Sequence, residues 1–117
     1  MKETKYLTTL EKANLHDTME PLLTSMYEEF KDLSKKKPEA TISKNKILIV
    51  NRILNKIRII LNDQETIEFL DLLNEDDMPQ ISDVVIMLSQ YVAAMSAFKT
   101  KHHGWDGTRH KWFVKIK

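Results

Sequence analysis

Apolar residues recur at spacings of three and four along most of this chain, the signature of amphipathic helices. Tyr6, Leu7, Leu10 and Ala13 predict a short leading helix over residues 6–15. Asp17 or Thr18 is a cap for a second helix, in which Met19, Leu22, Leu23, Met26, Phe30 and Leu33 share a side. Lys35, Lys36 and Lys37 suit its carboxyl end, and Pro38 stops it. Ser43 caps a third helix reaching about Asn62, where Ile47, Val50, Leu54, Ile57 and Leu61 form a seam that Ile49, Ile53 and Ile60 widen. Asp63 or Gln64 opens a short fourth helix with Ile67, Phe69, Leu70, Leu72 and Leu73 as its apolar content and Glu75, Asp76 and Asp77 as its exit. A fifth, from Gln80 or Ser82 to Lys101, sets Ile81, Val84, Leu88, Tyr91, Met95 and Phe98 on one seam and closes at Gly104.

Past Gly104 the period changes. Asp106-Gly107 is a turn signal, and Trp112, Val114 and Ile116 alternate with Phe113, Lys115 and Lys117, which predicts an extended tail or a single strand. The expected fold is all-α: an irregular antiparallel bundle of four main helices with a short N-terminal helix and an extended C-terminal tail. Residues 1–104 form the helical domain, and 105–117 an aromatic, basic tail packed on the bundle or on a partner.

Composition sharpens this in a few respects. A chain of 117 residues fits one domain, and its two glycines both follow residue 103, which disfavours tight hairpins before that point. The absence of cysteine excludes disulfide scaffolds, thiolate metal sites and thiol nucleophiles. No opening segment has the charged, apolar, small-residue order of a leader, and no run approaches the roughly 18 apolar residues of a membrane span, so a soluble cytoplasmic protein is expected. The formal charge of +1 gives no global field toward nucleic acid or membrane.

The charges are nonetheless segregated. Eight acidic residues and no Lys or Arg lie between Asp63 and Asp83, whereas residues 99–117 hold six basic residues and one Asp. The two blocks either pair with each other, within a chain or between copies, or steer a charged partner.

Candidate sites follow from side-chain chemistry. Trp105, Arg109, Lys111, Trp112 and Phe113 combine the residue types enriched at protein–protein hot spots with those that stack on bases and track phosphates. The same aromatics can instead staple the tail to the body. Asn51, Asn55, Arg58 and Asn62 form a polar stripe along the apolar third helix, readable as a solvent face, as an interface seam or as a small-ligand site. His102, His103, Asp106 and His110 lack a ligand spacing that would make them a metal centre, so no metal or cofactor is expected. Nothing supplies a nucleophile with a base, nor a Gly-rich phosphate loop.

Glu28, Glu29 and Asp32, followed by Glu68 and Asp71, resemble the paired acidic motifs of all-α nucleotide pyrophosphatases, which bind magnesium through carboxylates. The resemblance covers five residues, with a longer spacing and without a matching set of basic phosphate ligands. The main expectation is a small non-enzymatic protein that binds a protein partner, as a homo-oligomer, because the third and fifth helices carry apolar residues on two sides. The alternatives are a nucleic-acid module using the basic tail together with Lys44, Arg52, Lys56 and Arg58, or a magnesium-dependent nucleotide pyrophosphatase.

Overall fold

The computed structural model describes residues 6–115; Ile116 and Lys117, included in the tail above, lie outside the described residues. It contains three α-helices and a small antiparallel hairpin: α1 (Leu10–Lys36), α2 (Lys44–Ile60), α3 (Ile81–His102), β1 (His103–Trp105) and β2 (His110–Trp112). The expectation of an all-α bundle with four main helices and a leading one is therefore corrected in three places.

First, the leading and second helices are one. The Thr9 hydroxyl accepts from the Lys12 N–H to cap α1, and Pro21 stands inside the helix. Ala13, His16, Met19, Leu23 and Phe30 hold a single buried seam through the proline, and burying that seam outweighs ending the helix at Asp17. Pro21 deprives the Asp17 carbonyl of its helical donor, but both residues are exposed, so water can replace it. Pro21→Ala is accordingly expected to raise stability by about 1–3 kcal/mol, read as a higher urea midpoint at unchanged slope.

Second, the fourth helix does not form. Residues 63–80 make 3₁₀ turns at Glu65–Phe69 and Glu75–Asp77, joined by an extended segment. Leu70 and Leu73 are buried while Phe69 and Leu72 face out. The backbone groups of residues 70, 71 and 73 are satisfied by side chains from α2 and α3 rather than by a helix, as described below. Third, the tail is not a single strand. His103 pairs with Trp112, Gly104 with Lys111 and Trp105 with His110, so Gly104 lies in a strand rather than behind a helix cap, and the expected boundary at residue 104 falls within β1.

The described part measures 49 × 24 × 19 Å. α1 packs against both other helices and runs antiparallel to each, whereas α2 and α3 scarcely meet because the strap of residues 63–80 returns between them. Leu54, Ile57, Val84, Leu88 and Tyr91 have no exposed surface and form the centre of the core. Both ends of the bundle are tied by backbone pairs. At one end Ile42 N–H donates to Pro79 and Ile81 N–H to Ala40; at the other Thr8 N–H donates to Phe113 and Lys115 N–H to Thr8. Lys12 binds Asn62 at 2.7 Å and Asp63 at 3.2 Å, fixing the start of α1 against the end of α2.

α3 is long and apolar enough to cross a membrane by length and composition, contrary to the expectation that no segment would be. On it Val84, Leu88, Tyr91, Met95 and Phe98 are buried in the domain, and Gln90, Ser96 and Lys99 occupy the outer side.

Candidate functional site

The polar stripe on α2 divides into three roles. Asn51 grips Leu73 twice: its amide nitrogen donates to the Leu73 carbonyl at 2.8 Å and its oxygen accepts the Leu73 N–H at 2.9 Å. Arg58 donates to the Leu70 carbonyl, and from α3 the Tyr91 hydroxyl donates to the Asp71 carbonyl at 2.8 Å. Burial pushes the Tyr91 phenol up to about 12, against a smaller opposing pull from the Arg58 charge. These three side chains replace helical hydrogen bonds and hold the strap extended. Asn62 accepts from Lys12, and Asn55 is exposed. The stripe thus joins two backbone clamps, one tie to α1 and one free amide.

The five tail residues also divide. Directly paired strand residues share a face, so His103, Trp105, His110 and Trp112 form one side of the hairpin. Trp112 lies 5.0 Å from the His16 ring and 6.0 Å from Phe98, and its indole N–H donates to the Asp17 carboxylate. Phe113 covers Gly104 on the other side. These two anchor the hairpin, while Trp105, Arg109 and Lys111 are exposed. The turn is built by Asp106, whose Oδ1 accepts from Thr108 N–H, the Thr108 hydroxyl and Arg109 N–H, with Gly107 at φ 106° supplying the left-handed step.

The Arg109 and Thr108 N–H groups hold the Asp106 carboxyl well below its ordinary 3.8. A depressed folded pKa means that the unfolded chain binds the proton first, so the turn's contribution is complete above pH 3.8 and declines as pH falls below it. In an NMR titration, the Thr108 and Arg109 amides are expected to stay fixed from neutral pH down through 3.8, where an ordinary aspartate is half protonated, and to move upfield only well below it. In Asp106→Asn the step disappears.

All four histidines of the chain gather here. His16, only 1% exposed, donates from Nε2 to the Met95 carbonyl at 2.9 Å, and its Nδ1 has no partner among the described residues. His102 donates from Nδ1 to the Tyr6 carbonyl at 2.7 Å. In both rings a carbonyl, which only accepts, fixes the tautomer. His103 and His110 stack 6.4 Å apart on the hairpin. His16 belongs to no motif, and its position on the apolar seam between Ala13 and Met19 was the one available signal.

The larger surprise is on α1 and α2. Leu22, Met26 and Leu33 on α1 border a cleft of about 320 Å³ with Ile49 and Ile53 on α2; Leu22 is 48% and Ile49 59% exposed. On the same flank of α1, Leu15 borders a second cleft with Ile59, which is 51% exposed. The sequence places Leu22 and Leu33 on the buried side of their helix, but they stand one step off its true seam. The expected doubly apolar character holds for α2, whereas on α3 only Ile86 is a large exposed apolar residue.

The remaining chemistry does not converge. Glu28 and Asp32 pair with Lys31 and Lys35 on the outside of α1, while Glu68 and Asp71 are exposed on the strap. Among the described residues no three acidic or imidazole groups are placed to hold a metal ion. Lys44 begins α2 at the end of the domain opposite the hairpin, and Arg58 is spent on Leu70, so the α2 cations do not join the tail. The acidic and basic blocks do not pair either; Asp63 is the one acid of residues 63–83 in an ion pair among the described residues, and its partner is Lys12. No family model, curated protein or solved structure matches the chain.

Proposed function

We propose that this is a non-enzymatic interaction protein that works as a homodimer, formed by the α1/α2 face of one copy against that of another. The observation that carries this is the row of exposed apolar residues on two adjacent, rigidly packed helices: Leu22 and Leu33 on α1, Ile49 and Ile59 on α2.

Charge selects the occupant. α2 carries five cations and no acid, while the α1 rim of the cleft carries Glu29. A two-fold axis parallel to the helices lays α1 of each copy on α2 of the other, so that Glu29 meets the partner's α2 at the level of Lys46. An axis across the helices would set α1 on α1 and leave the cations of α2 facing one another. The self-complementary arrangement is the parallel one.

Light scattering tests the proposal. The chain is expected at twice its 13.8 kDa at micromolar concentration. Ile49→Glu and Leu22→Glu, both at exposed positions, should give folded monomers with unchanged helical circular dichroism. Glu29→Lys should weaken the dimer by about tenfold, and adding Lys46→Glu should restore it. A wild-type chain that stays monomeric at about 100 μM, or glutamate variants that remain dimers, would overturn the proposal.

A further inference from the structure

On the flank of α1 opposite the apolar face lies a cleft of about 540 Å³ between α1 and α3, within the size range of small-molecule sites. Its lining sets a polar group of side chains beside the apolar Leu23, Val92 and Met95. α3 contributes Ser96, Lys99 and Thr100, which the helical repeat sets on one side, and α1 contributes His16, Glu20 and Thr24. Lys99 makes no ion pair among the described residues. The Glu20 carboxylate accepts the Thr24 hydroxyl at 3.0 Å and keeps further acceptor capacity.

His103 closes the cleft at the hairpin and is also the first ring of the hairpin's aromatic side. From it the rings continue outward, to His110 at 6.4 Å and then to Trp105, 5.3 Å from His110 and 59% exposed. A cation with two hydroxyls therefore stands beside an uncovered aromatic surface, joined by one shared residue. Desolvation, then the neighbouring Lys99 and His110, depress the His103 pKa against an opposing pull from Asp17, which favours the neutral imidazole.

We propose that this cleft and the hairpin ring face together bind a 5′-nucleotide. Lys99 with the Ser96 and Thr100 hydroxyls holds the phosphate, and Trp105 with His110 stacks on the base. Glu20 accepts the hydroxyls of the sugar. A carboxylate on that wall repels inorganic phosphate by like charge, whereas the uncharged sugar offers it hydroxyl donors. Stacking on Trp105 is tolerant of base identity because every base presents a π-face. The dimer face is on the other side of α1, so the two proposals stand or fall separately.

Tryptophan fluorescence and calorimetry on the full chain, with AMP, UMP, adenosine and inorganic phosphate as probes, decide the matter. AMP and UMP are expected to saturate and to bind about tenfold more tightly than adenosine or phosphate. Lys99→Met should reduce AMP affinity to that of adenosine and leave adenosine binding unchanged. Trp105→Leu should weaken AMP and adenosine alike while Trp112 still reports a folded hairpin. A 5′-phosphorylated oligothymidylate that binds more tightly than AMP assigns the site to strand ends; tighter AMP assigns it to free nucleotides, and either supports the site. No saturable binding of AMP up to about 1 mM, or AMP binding indifferent to both substitutions, would overturn it.

Discussion

Asn51→Ala is expected to lower the stability of the domain by about 2–4 kcal/mol, although the residue is a partly exposed amide on a helix surface. Alanine deletes two hydrogen bonds at once and strands the N–H and carbonyl of Leu73, a residue only 8% exposed. Each buried, unsatisfied backbone group costs about 1–3 kcal/mol. Asn51→Asp should fare little better: the carboxylate still accepts from the Leu73 N–H, but it opposes the Leu73 carbonyl with a second acceptor. Asn55→Ala, one turn further along the same stripe and exposed, should change stability by no more than about 0.5 kcal/mol. Urea unfolding of the three variants measures the differences, and hydrogen exchange at the Leu73 amide shows whether the strap opens locally or the whole domain loosens.

Phe98→Ala should be costlier, about 3–5 kcal/mol. Phe98 is 1% exposed and lies at the centre of a ring cluster, 4.6 Å from His102, 5.6 Å from His16 and 6.0 Å from Trp112. Removing it leaves a void shared by α1, the end of α3 and the hairpin, with little freedom to collapse, because His16 and His102 are held by carbonyls on Met95 and Tyr6. The near-ultraviolet dichroism of Trp112 should weaken along with thermal stability. A loss below about 1 kcal/mol would mean that the hairpin is not docked on these rings.

The contrast between Asn51 and Asn55 shows how far the sequence could be read. The seams of α2 and α3 were legible, as were the Ser43 cap and the lysine-rich end of α1, because each follows from local spacing and backbone chemistry. The expected start of a new helix at Asp17 or Thr18 fails because a cap residue and the interior Pro21 act locally, whereas the seam from Ala13 to Phe30 that overrides them spans several turns. The strap misled for the opposite reason: Ile67, Leu70 and Leu73 keep helical spacing, but the donors and acceptors that hold it extended come from residues 51, 58 and 91. No local pattern announces such long-range capture. Asp106-Gly107 did announce a turn, yet its first strand was hidden inside His102-His103-Gly104, a stretch that reads equally as a helix end.

The candidate site was legible in kind more than in place. Surplus apolar surface was expected on the third and fifth helices, and the uncovered face proved to belong to α2 with α1, since α3 supplies the core. The tail aromatics split between anchors and an exposed tip because strand pairing sorts them by side, which composition cannot do.

Because the chain has no cysteine, single introduced thiols report directly on which faces meet. An equal mixture of Leu22→Cys and Ile53→Cys chains, lightly oxidised, should yield the mixed covalent dimer faster than either variant alone, since the parallel two-fold brings α1 of one copy onto α2 of the other. Ser96→Cys, exposed on α3, serves as the control. Preferential mixed dimer confirms that the α1/α2 face is covered by a second copy; cross-linking of the mixture no faster than Ser96→Cys would contradict it.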